Sequence, residues 1–175
     1  MIKILSILFI SLVCTMASLA GQPPLVPHPI NLKNGKHFSL NLPSNYDIIP
    51  AAEGLKRVRF FAKAPDGRMF ITDMHDLSDN EKGIIYILDK WSAETGQFGK
   101  IIPYLTGLNN PNSVQFYTDP QGQDWLYIAE TNQLTRRKFT QGEIKPTSKA
   151  EVLATFPDYG LSYKYGGWHL TRTIA

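Results

Sequence analysis

Cysteine is almost missing from this chain. The 175 residues hold one, Cys14, inside the first twenty. Beyond residue 14 there is therefore no disulfide, no cysteine-based zinc site and no thiol nucleophile. The sequence also lacks a GxSxG elbow, a GxGxxG turn, a GxxxxGK phosphate loop and an HExxH pair, which removes the corresponding serine-hydrolase, dinucleotide, P-loop and metalloprotease readings. Charged residues are sparse at 19%, and the net charge of +3 is scattered, so nothing argues for a nucleic-acid surface. The densest basic run, Arg136, Arg137 and Lys138, reads as the solvated face of a strand. No segment after the N-terminus shows a helical apolar period.

What is present begins with a distinct N-terminus. Met1, Ile2 and Lys3 give a short positive start. Residues 4–13 are apolar except for Ser6 and Ser11, and Ser18 and Ala20 stand at the −3 and −1 positions of a cut before Gly21. This order of features predicts a signal peptide over residues 1–20 and export of the remainder. The apolar run is too short for a permanent span. Val13 stands before Cys14, where acylation of a lipoprotein cysteine calls for a small residue, so ordinary cleavage is expected. An exported chain without disulfides fits a bacterial periplasm better than a small extracellular scaffold.

Residues 21–36 begin with GQPPLVPHP. Proline fixes φ and has no N–H to donate, so this stretch is expected as an extended linker, with order starting near His37. Residues 37–53 form an N-terminal strand segment, in which Phe38, Leu40 and Leu42 alternate with polar residues. A turn follows at residues 43–45, then a short extended piece at 46–49. Further strands are predicted at 60–64, 69–72, 84–88 and 101–105, with Pro65, Asp66 and Gly67 as a turn between the first two. Pro103 marks the last as an edge strand, since proline cannot donate to a ladder. The order then repeats. Gly54 and Leu55 recur as Gly107 and Leu108, Pro65 to Gly67 as Pro120 to Gly122, and FITD at 70–73 as YIAE at 127–130. The second set of strands is predicted at 113–117, 125–129, 134–139 and 150–156.

Four strands at a period slightly above fifty residues are the mark of β-propeller blades. The predicted fold is all-β: a first blade over 54–106, a second over 107–165, and the start of a third over 166–175. Two blades cannot close a ring. The chain is accordingly expected to be the N-terminal part of a longer propeller and inactive alone.

Few residues suggest chemistry. His28 and His37 have no acidic or histidine neighbour in the sequence. The loop containing Asp73, His75, Asp76, Ser78, Asp79 and Asn80 is rich in oxygen donors suited to calcium, but it matches no calcium-loop spacing, and capping of a turn is the favoured reading. Glu130, Thr131 and Asn132, after a predicted inner strand, are a second possible set of oxygen ligands. His169 stands apart, in YGGWHLTRTI at 165–174. Glycines precede it and a predicted innermost strand follows it. In a propeller that position lies near a mouth of the central channel, where an imidazole with a near-neutral pKa suits proton abstraction from a hydroxyl. Hydrogen bonding within a loop is the alternative.

The segment 166–174, with 60–73 and 114–130, resembles the N-terminal part of the soluble PQQ-dependent glucose and sorbosone dehydrogenases. The resemblance implies a six-bladed propeller that holds pyrroloquinoline quinone (PQQ) and calcium at the channel mouth. It also implies oxidation of a sugar in the periplasm, with electrons passed to a downstream acceptor and His169 as the general base. Glucose-oxidising members carry an acidic residue before that histidine, where this chain has Trp168; this favours a sorbosone-like substrate. A glutamine that contacts the quinone in the family has no secure match in residues 108–112, and the remaining cofactor ligands are expected in later blades. The rival readings are a calcium-dependent lactonase-like hydrolase and a non-catalytic propeller that binds carbohydrate or protein.

Overall fold

A computed structural model describes residues 22–156, 173 and 174. The chain divides into two units, Met1–Pro50 and Ala51–Ala175. Among the described residues every regular element is a strand, and no helix is long and apolar enough to cross a membrane.

The first unit contains β1 (Leu25–Asn31) and β2 (His37–Pro43), paired antiparallel from Leu25 opposite Pro43 to Asn31 opposite His37. The stretch expected as a linker is thus extended but also paired. Proline parity explains how. Ser44 N–H donates to the Pro24 carbonyl at 3.0 Å, and Leu32 N–H to the Lys36 carbonyl at 2.8 Å. The ladder bonds therefore fall on even positions of β1. Pro27 and Pro29 occupy odd positions, whose nitrogens face away from β2, so neither costs a ladder bond. Residues 46–49, expected as a further extended piece, form no strand.

The second unit is two four-stranded antiparallel sheets. One has the order β3 (Val58–Lys63), β4 (Met69–Asp73), β5 (Gly83–Ser92), β6 (Gln97–Leu108). The other has β7 (Ser113–Thr118), β8 (Asp124–Ala129), β9 (Gln133–Lys138), β10 (Glu151–Thr155). Each is a simple meander in chain order, as a propeller blade requires. The first strands lie together, with β7 against β3 and β4. Pro103 sits in β6, an edge strand, as its missing N–H demands. Both expected turns form, with Gly67 at φ 86° and Gly122 at φ 81°, a backbone region open to glycine at little cost. β5 and β6 run further than the sequence pattern suggests. Trp91 faces Phe98 across them, and the turn closes through Gly96 N–H to the Ser92 carbonyl.

The core lies between the two sheets. Phe70, Ile85 and Ile87 of the first blade and Val114, Leu126 and Ile128 of the second, with Phe139, belong to one buried cluster. Burial of each large side chain contributes about 2 kcal/mol. Phe70 is fully buried. Its ring meets Tyr104 and Phe116 edge-on at 5.0 Å and Phe139 at 5.7 Å, a geometry the ring quadrupoles favour.

Candidate functional site

Three segments meet where the blades join: 74–82 after β4, 109–112 between β6 and β7, and 130–132 after β8. Asp73 ends β4 and is buried. Its carboxylate accepts N–H bonds from Lys56 at 2.7 Å, Arg57 at 2.8 Å and His75 at 2.9 Å. It therefore ties the backbone leading into β3 to the end of β4. Glu130 takes the corresponding place in the second blade. One of its carboxylate oxygens accepts Asn109 N–H at 2.7 Å, and the other accepts the Gln133 side-chain amide at 2.8 Å. The next residue repeats the pattern: Met74 N–H donates to the Arg57 carbonyl at 3.0 Å, and Thr131 N–H to the Asn109 carbonyl at 3.1 Å. Burial pushes the Glu130 carboxyl above its ordinary pKa, against the two hydrogen bonds that favour the charged form.

The asparagines at 109–112 form a polar wedge between these clasps. Asn110 adopts φ 41° and is fully buried. Its side-chain oxygen accepts Asn80 N–H at 2.9 Å, and its amide donates to the Ser78 carbonyl at 2.9 Å. Asn112 donates to the Asn110 carbonyl at 2.9 Å, and Thr72 Oγ1 lies 3.4 Å from the Asn112 carbonyl oxygen. Pro111 packs so tightly that a Cβ on Gly83 would stand 2.1 Å from its Cδ. In the sequence this stretch stands out against the PQQ-dependent dehydrogenases only for its missing glutamine. The available signal was three asparagines in four residues, a type that tolerates left-handed backbone and completes turns with its own side chain.

The loop weighed as a calcium site caps itself. Asp76 Oδ1 accepts Ser78 N–H at 2.8 Å, the Ser78 hydroxyl, and the Asn80 amide at 3.1 Å. Those Ser78 bonds hold the Asp76 carboxyl below its ordinary pKa. His75 lies 3.8 Å from Asp76 and takes φ 71°. Asn132, the third residue of the other possible ligand set, is exposed. Among the described residues no group of three histidine, cysteine, aspartate or glutamate side chains is placed to hold a metal ion.

The basic run splits across β9. Arg136 stacks on Trp125, 4.2 Å from the ring centroid, and pairs with Glu151 at 2.8 Å. Arg137, expected on a solvated face, is half-buried. Its pKa is lowered by burial, with Tyr104, Glu143 and Glu130 acting in the opposite sense. Tyr104 donates its hydroxyl to Glu143. Burial, followed by this contact, drives the phenol pKa far above its ordinary value.

His169 and Trp168 lie outside the described residues, as does the expected signal peptide. Ile174, five positions after His169 in the sequence, donates its N–H to Ser113 Oγ at 3.3 Å. Ile174 thus lies against the start of β7. No protein-family model matches this sequence, and no curated protein is found to be similar to it.

Proposed function

We propose that these blades belong to an exported sugar-oxidising propeller of the PQQ-dependent type, in which His169 takes the proton of the reacting hydroxyl. One observation carries the reading: the meander blade occurs twice with first strands side by side, and Ile174 reaches the first strand of the second blade. In a propeller the first strands line the central channel, and Ile174 lies beside one of them.

PQQ, when bound, supplies the acceptor for the hydride. The groups that would hold PQQ and calcium are assigned to none of the described residues. Asp73 is committed to backbone N–H groups, Glu130 to the Asn109 N–H and the Gln133 amide, and the Asp76 loop is closed on itself. What this chain brings is a shaped scaffold and one imidazole able to exchange a proton near neutral pH. Trp168 beside it favours a sorbosone-like sugar over glucose.

The test is dye reduction by the full-length protein with PQQ, calcium and a panel of aldoses and sugar aldehydes. His169→Ala should lower kcat by about 10²–10⁴-fold, the usual effect of losing a general base, with the unfolding midpoint unchanged. Full activity in the variant would remove His169 from the role. Lactone hydrolysis with calcium alone and no dye reduction would replace the redox reading with the hydrolase.

A further inference from the structure

The turn joining β1 to β2 holds the one asparagine in the sequence that is followed by glycine, Asn34 before Gly35. Asn34 is exposed. Its side-chain oxygen accepts Lys36 N–H at 3.0 Å. Gly35 stands at φ 81°, with open space where a Cβ would lie.

We infer that Asn34 is a site of spontaneous deamidation in the folded protein. The Gly35 nitrogen attacks Cγ of Asn34, forming a five-membered succinimide. The Cγ–Nδ2 bond breaks, and ammonia leaves with the proton given up by Gly35. Water then opens the ring at either carbonyl, leaving aspartate or isoaspartate. The only co-reactant is water.

Three features of the turn favour the attack. Glycine places no side chain in the path of its own nitrogen. The Lys36 N–H already donates to the oxygen on which negative charge gathers, as an oxyanion-hole donor does. Lys33 and Lys36 flank the reacting atoms, and positive charge favours both the anionic nitrogen and the oxyanion. One feature opposes it: Gly35 N–H donates to the Leu32 carbonyl at 3.0 Å. That bond closes the tip of a two-stranded hairpin, where local opening costs little. Asp66 before Gly67 is the nearest analogue, but Arg68 and Gly142 N–H hold its carboxylate.

The consequence is local. Isoaspartate adds a main-chain carbon inside the turn, which moves Lys36 away from Leu32 and loosens the closing Leu32 N–H to Lys36 bond. The basic turn also gains a negative charge.

The experiment is peptide mapping by mass spectrometry, with isoaspartate resolved, after warm incubation of the full chain in neutral and in mildly alkaline buffer. Parallel samples are held in denaturant, and Asn34→Gln serves as control. The expected result is acid at position 34 in the folded protein ahead of every other asparagine. It should form faster in alkali, with isoaspartate in excess, and disappear in Asn34→Gln. Conversion at 34 only in the denatured sample would overturn the inference, since the turn would then be protective. Equal conversion at other asparagines, or none at 34, would overturn it as well.

Discussion

Asp73 and Glu130 show how a side chain can carry a repeat that the sequence only outlines. Asp73 ends the second strand of its blade and Glu130 directly follows that of the next; both are buried and accept backbone N–H from the segment leading into the first strand, Glu130 also accepting the Gln133 amide. Glu130 pays a desolvation penalty that leaves its folded pKa raised. A raised acid stabilises the fold most below the unfolded pKa and loses that contribution as pH rises through the folded value. Glu130→Gln keeps an acceptor for Asn109 and removes the titration. The stability of the wild type relative to this variant should therefore fall as pH rises from below the ordinary glutamate range through the raised value, read by denaturant unfolding at a series of pH values. Gly83 is the other sensitive position. A methyl there meets Pro111 and the Leu108 carbonyl oxygen at 2.7 Å, so Gly83→Ala should cost about 3 kcal/mol of unfolding free energy as an overpacking change.

At the scale of elements, the strands of the second unit were legible because turn chemistry brackets them. Pro65 to Gly67 and the glycine at 122 place two hairpins, and alternation fills the space between them. β1 was not legible, because proline content outweighed pattern. The relevant fact was the parity of Pro27 and Pro29, which has meaning only once a partner strand and its register are known. The ends of β5 and β6 were missed for a similar reason, since Trp91 and Phe98 are held by each other across the pair. The parity account makes a prediction. Ile30→Pro places a proline on a bonded position and should abolish slow amide exchange across β1 and β2, while Pro27→Thr should leave it intact. Loss of protection in both variants, or in neither, would contradict the assignment. The asparagine wedge and the carboxylate clasps were legible as residue types and not as contacts, because their cross-element bonds join positions 16 to 40 apart in sequence.

At the scale of the molecule, repetition does the assembling. Two meanders stack through one aromatic cluster centred on Phe70, with their first strands adjacent. The proposed chemistry needs this arrangement, because it is what would bring the segment containing His169 toward a shared channel. The most direct test is a set of nuclear Overhauser contacts measured in the full chain. The account predicts ring-to-ring contacts from Phe70 to both Phe116 and Phe139, together with a contact between Ile174 and Ser113. Cross-strand contacts within each sheet without any between Phe70 and Phe116 would show that the sheets do not stack as blades, and the case for a channel-facing His169 would go with them.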